Sequence, residues 1–204
     1  MDCFSEVLQN QRKTNDDELR IADLLFNMGN IYLEQNLPEK SLDCLRESYD
    51  ITNEALGEDN KELHSTMYLM GVAMSNLADY ESALKWLTQA LKVLGESNDD
   101  ENVTDQAARG KTLHQTGTVY EKTGDQARAI TCFQESAQIL KVVQGNDLEL
   151  SNSLNSMGNL LRNVSDFEQA LDCYGQSLTI RSGLGDELLV ANTKNNIGAV
   201  LSAT

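Results

Sequence analysis

Few side chains in this sequence are placed to make or break bonds. His64 and His114 are solitary, with neither the companion ligands a metal needs nor a nucleophile for a general base to activate. Asp99-Asp100 is a pair of acids in a polar loop with no partner nucleophile in view. Gly183-Leu184-Gly185 lies between two helical stretches and lacks the strand that a dinucleotide fingerprint requires, and there is no Walker-type glycine loop. The chain therefore reads as not an enzyme, with no cofactor and no metal. Its function has to be sought in what it binds.

Composition narrows the partners. The 204 residues carry 32 acids against 16 bases, a formal charge of −16, and are 40% hydrophobic. Phosphate binding relies on Lys and Arg neutralising the backbone, so this balance argues against nucleic acid. Much of the acid is expected to be a solvated surface, with a basic partner left open. One proline, few aromatics and no alternating β-branched runs argue for helices nearly throughout. No apolar run approaches the roughly 20 residues of a membrane span, and no charged-then-apolar leader opens the chain. No membrane association is expected.

The elements that would position a binding surface are repeats. Gly158 to Ile180 (GNLLRNVSDFEQALDCYGQSLTI) has counterparts at Gly29 to Ile51, Gly71 to Val93 and Gly117 to Ile139. Each holds the end of one amphipathic helix, a turn and most of a second. Along the chain this gives a half repeat at 1–14, repeats near 18–57, 60–95, 106–145 and 148–185, and a half repeat at 186–204, all in one domain that begins and ends in mid-repeat. Ile21, Leu25, Met28 and Tyr32 are the inward positions of the first helix, and Pro38 opens the second, where its missing N–H costs nothing. Gly57 is expected to cap that helix in a left-handed conformation. Met67, Met70 and Met74 are expected in the core rather than on an adaptive binding surface. Glu96 to Asp105 is the irregular stretch: Gly71 to Gly117 spans 46 residues against 42, 41 and 40 for the other intervals, so an acidic mobile surface loop is expected there.

Set out this way, the chain resembles the tetratricopeptide repeat family. Its helix-A signature, a large residue, then one followed by Gly, then an aromatic or large residue, appears as Leu25, Met28-Gly29 and Tyr32; Met67, Met70-Gly71 and Met74; Leu113, Thr116-Gly117 and Tyr120; Leu154, Met157-Gly158 and Leu161. The helix-B signature appears as Ser41-x3-Leu45, Ala83-x3-Leu87, Ala129-x3-Phe133 and Ala170-x3-Tyr174. The period near 42, the linkers Ala55 to Asp59 and Gly183 to Glu187, and Asn195-Asn196-Ile197-Gly198 are similar to kinesin light chain-type repeats. The histidine and proline common after the linker glycine in that type are absent, and no heptad segment is present to join a heavy chain. The resemblance implies an all-α, right-handed α-solenoid of antiparallel helix-turn-helix repeats. Gly29, Gly71, Gly117 and Gly158 would let helix B approach helix A closely, with Ser41, Ala83, Ala129 and Ala170 forming the other side of the crossing.

Cys3, Cys44, Cys132 and Cys173 each precede the large helix-B residue, and Trp86 takes that place in the second repeat. A whole repeat separates neighbouring copies, too far for disulfide geometry, so half-buried reduced thiols in a reducing, cytoplasmic compartment are expected.

The resemblance also implies a concave groove lined by helix-A positions. Carried over, these are Asp23, Phe26, Asn30, Leu33 and Glu34; Ser65, Tyr68, Val72, Ser75 and Asn76; Lys111, His114, Thr118, Glu121 and Lys122; Asn152, Asn155, Asn159, Arg162 and Asn163; with Asn192 and Asn195 beyond. Phe26, Tyr68 and His114 would form an aromatic stripe, and the asparagines would bond an extended peptide backbone or else bridge neighbouring helices. The carboxylate clamp of the chaperone-binding members is not matched. The expected function is a scaffold or adaptor that holds a partner peptide or helix in the groove. The alternatives are a structural subunit held permanently in an assembly, or a regulatory domain of a multidomain enzyme. The apolar ends, with Phe4, Val7 and Ile197, would be covered by further repeats or another chain.

Overall fold

The computed structural model describes residues 18–95 and 103–203. Among them are nine helices and no strand: α1 (Glu18–Glu34), α2 (Pro38–Leu56), α3 (Leu63–Asn76), α4 (Tyr80–Val93), α5 (Val103–Thr123), α6 (Gln126–Val142), α7 (Asp147–Asn163), α8 (Phe167–Leu184) and α9 (Glu187–Leu201). The chain divides into two compact units, Met1–Glu96 and Ser97–Thr204. The first contains α1 to α4, the second α5 to α9. Residues 1–14, with Cys3, Phe4 and Val7, and most of the acidic stretch fall outside the described residues. Its last three positions do not form a loop: Val103, Thr104 and Asp105 make the first turn of α5.

In the first unit α1 packs on α2, α2 on α3 and α3 on α4, and in the second α5 to α9 pack in the same sequential way. The turn between the helices of a pair recurs at one position. Asn36, Ala78, Gly124 and Ser165, each seven residues after a repeat glycine, have φ of 57°, 59°, 82° and 63°. The following N–H, of Leu37, Asp79, Asp125 or Asp166, bonds back to the carbonyl of Tyr32, Met74, Tyr120 or Leu161 at 2.9–3.0 Å. This is the Schellman closure, which satisfies carbonyls the ending helix would orphan. Asp79, Asp125 and Asp166 then cap α4, α6 and α8 by accepting from Ser82, Arg128 and Gln169 N–H. Hydrogen bonds from the Ser82 hydroxyl and N–H lower the pKa of Asp79, and those from the Arg128 N–H and guanidinium lower that of Asp125, because both favour the charged form. Leu37 supplies no such cap, and Pro38 begins α2 instead.

The helices cross where sequence predicts, at the repeat glycines. A Cβ on Gly29, Gly71, Gly117 or Gly158 would lie 2.7–2.9 Å from Leu45, Leu87, Phe133 or Tyr174. The far wall is thus the large helix-B residue; the small one, Ser41 or Ala83, offers its carbonyl oxygen at 3.3 Å to the first two glycines. Gly110 makes a further such contact, with Leu140 at 2.6 Å. Leu45, Leu87, Phe133 and Tyr174 are fully buried, and so are Met67, Met70 and Met74 to within 8%. The methionines are core. Gly57 caps α2 with φ 88° and ψ 158°, an extended glycine-only conformation in place of the expected left-handed one, whereas Gly185 closes α8 with φ 74° and ψ 14°, in the left-handed region.

Cys44, Cys132 and Cys173 are free and stand beside the buried Leu45, Phe133 and Tyr174. Burial, with Glu135 and Asp172 adding to it, pushes the thiols of Cys132 and Cys173 up to about 11. Ile197 is partly covered against the Ala170–Tyr174 cluster, while Leu188 and Lys194 of α9 are exposed. No helix among the described residues is long and apolar enough to cross a membrane.

Candidate functional site

A serine 19 residues after the repeat glycine ties the pairs together. Ser48, Ser136 and Ser177 donate to the carbonyls of Ala22, Gly110 and Ser151 at 2.8, 2.7 and 2.9 Å. Ala90 fills that position in the second repeat. All three serines are buried, so each bond saves two groups from being desolvated unpaired. Each bond fixes helix B against helix A of its own pair, α2 on α1, α6 on α5 and α8 on α7.

In the first unit Phe26 is half-buried and lines a cleft with Asp23, Ser48, Thr52, Glu62, Ser65 and Thr66. Asn30 bonds Glu34 at 3.3 Å. Tyr68 stacks on the buried His64 with 6.3 Å between ring centroids. Leu33 and Val72 are half-buried, Asn76 is exposed, and Ser75 is buried.

In the second unit the candidate residues belong to an internal polar network. His114 Nδ1 lies 3.0 Å from Ser153 Oγ, which lies 2.9 Å from Ser136 Oγ. With a proton on Nδ1 the imidazole donates to Ser153, whose own single proton is divided between the Glu149 carbonyl at 3.1 Å and Ser136 Oγ, while Ser136 donates to Gly110. The ring also leans on Phe133, centroids 5.2 Å apart. Burial lowers the His114 pKa, against the pull of Glu149. Glu149 meanwhile takes the Lys111 ammonium at 2.8 Å. Of the aromatic stripe, His114 is therefore engaged with its own core. Thr118 donates back to the His114 carbonyl.

The asparagines of α7 combine both expected roles. Asn152, Asn155 and Asn159 stand at i, i+3 and i+7, which is one helix face. Their side-chain oxygens accept from Arg181 Nη2 at 2.8 Å, Asn196 Nδ2 at 3.3 Å and Tyr174 Oη at 2.8 Å. Their amide N–H2 groups make no hydrogen bond among the described residues. Arg162 is half-buried and Asn195 exposed, so the residue that reaches Asn155 is Asn196.

Arg181 escapes a reading of the sequence alone. It is 4% exposed and binds Ser151 Oγ, Asn152 Oδ1, Thr193 Oγ1 and the Leu189 carbonyl, joining α7, α8 and α9. Thr52, Leu94 and Leu140 hold its place in the other repeats. Burial lowers its pKa, with Asp186 opposing. The signal that would have marked it is a lone charge in an otherwise uncharged repeat column; for the serines it is a hydroxyl recurring three times in four.

Models of the tetratricopeptide repeat match residues 20–96 and 153–188, together more than half of the chain. The chain is 26% identical over 177 residues to the 43 kDa receptor-associated protein of the synapse from Tetronarce californica, covering 86% of this chain and 41% of that one. It is 24% identical over 155 residues to the protein kinesin light chain-related 3 of Arabidopsis thaliana, covering 76% of this chain and 23% of that one. It thus spans less than half the length of either curated relative. The crystal structure of BtubC (BKLC) from P. vanneervenii superposes with a TM-score of 0.81 at 16% identity, covering 98% of this chain and 81% of that one.

Proposed function

Because this chain belongs to the tetratricopeptide repeat family, with repeats of kinesin light chain type, we propose that its A-helix face captures an extended peptide or a helix of a protein partner. The family and fold are those of protein–protein interaction scaffolds. The finer reading rests on the amides of Asn152, Asn155 and Asn159. Internal donors occupy their oxygens and leave three N–H2 groups along one face of α7, which suits the carbonyls of a peptide backbone.

Photo-crosslinking tests it. A photoreactive side chain at position 155 is expected to capture the partner, and one at Val142 on the last turn of helix B, 81% exposed, is expected not to. Capture from position 142 alone would favour the rival reading, a structural subunit held through its outer face.

A further inference from the structure

The A-helix face of the first unit has the opposite hydrogen-bonding character. Between α1 and α3, over a floor supplied by α2, lies a cleft of about 410 Å³ whose polar side chains are Asp23, Ser48, Thr52, Glu62, Ser65 and Thr66. No lysine or arginine among the described residues lines it. Asp23 and Glu62 form no ion pair among the described residues, and the hydroxyls of Thr52 and Thr66, side chains more than nine-tenths buried, have no hydrogen-bond partner there. Ser48 has committed its proton to the Ala22 carbonyl, so its oxygen offers lone pairs alone.

We infer that this cleft is a subsite for a cationic side chain, an arginine or lysine carried by the partner segment; the inference rests on, and deepens, the groove reading above. The two carboxylates supply negative charge that no ion pair among the described residues neutralises. The buried hydroxyls accept from N–H groups that an ammonium or the fork of a guanidinium can aim at several acceptors at once. Half-buried Phe26 gives a flat wall for the aliphatic stem or the face of the guanidinium. An anionic side chain would meet only repulsion, and a neutral one would leave the carboxylates desolvated without gain.

The probe is the peptide acetyl-Ala-Arg-Ala-amide, with its citrulline counterpart as the neutral isostere, titrated into the full isotope-labelled chain and followed by amide chemical shifts. Saturable shifts are expected at Asp23, Phe26, Thr52 and Thr66, with affinity about tenfold or more weaker for citrulline and for the Asp23→Asn, Glu62→Gln variant, and falling as salt rises. Both substituted residues are exposed, so the variant should keep the parent thermal midpoint. Equal shifts with citrulline, shifts scattered over the acidic surface, or full binding by the folded variant would each overturn the inference. If these arise while crosslinking from position 155 persists, the subsite is lost and the groove reading stands. If the arginine peptide binds as expected while that crosslinking fails, the site is a cation pocket and the groove reading is what falls.

Discussion

Arg181 Nη2 donates to Asn152 Oδ1 at 2.8 Å, so a buried charge on α8 decides which way an amide on α7 faces. Truncation to alanine removes both the packing and the partners of Ser151, Asn152 and Thr193. Arg181→Ala should cost about 2–4 kcal/mol. Arg181→Leu, which restores the side chain found at 94 and 140, should recover at least about half of that because filling the volume offsets the lost bonds. Urea unfolding separates the two: equal losses in both variants would mean the hydrogen bonds, and not the packing, carry the stability.

Gly158 and Gly175 both lie inside helices, yet only one is confined. A Cβ at 158 would come within 2.7 Å of the Tyr174 ring, and one at 175 meets nothing within 4 Å. Gly158→Leu, or Ala83→Leu on the other side of a crossing, should cost about 1–3 kcal/mol by overpacking. Gly175→Ala should raise stability by about 0.5–1 kcal/mol through helix propensity. Thermal midpoints moving in opposite directions are the expected result.

Ser41 is fully buried, and its hydroxyl has no hydrogen-bond partner among the described residues. Alanine fills the equivalent positions 83, 129 and 170. Ser41→Ala should therefore stabilise by about 1 kcal/mol, since it removes a desolvated polar group at almost no cost in volume. A lower unfolding midpoint would show that the hydroxyl is satisfied in solution.

His114 links stability to pH. Burial holds its folded pKa below the unfolded value of 6.5. The unfolded chain therefore binds the proton more readily, and the stability contributed by neutral His114 is complete above about 6.5 and declines as pH falls through that value toward the folded pKa. Burial raises the Glu149 pKa but the bond from Lys111 outweighs it, so Glu149, which faces His114 from α7, stays ionised across that window. Urea midpoints at pH 7.5 and 5.5 should drop more for the parent than for His114→Gln. Equal drops would place the titrating group elsewhere.

Much of this architecture is legible in the sequence because it depends on residue size at fixed intervals. That Gly158 sits at a helix crossing can be read without coordinates, since close approach requires a small residue, but the sequence points to Ala170 as its opposite wall, whereas that wall is the Tyr174 ring. Met67, Met70 and Met74 follow from spacing in the same way. The polar interior is less legible. Asn152, Asn155 and Asn159 read equally well as ligands or as bridges, because the deciding donors, Arg181, Asn196 and Tyr174, come from other helices. Arg181 itself resembles an ordinary basic residue in the last turn of a helix, where favourable interaction with the helix dipole would account for it. Val103 to Asp105 read as loop because the acids before them mask where the helix starts.

The serine bonds of α2, α6 and α8 have a kinetic meaning as well. Each closes a chain segment of 26 residues, the same length every time, so closing any one pair carries the same modest loop entropy. Contacts of such limited sequence separation favour rapid folding. They also let one helix pair open without unravelling the rest, so amide exchange should report a graded series of local openings in place of one global transition. The second pair, with Ala90 where the others have serine, lacks that bond and is the natural first place for such an opening.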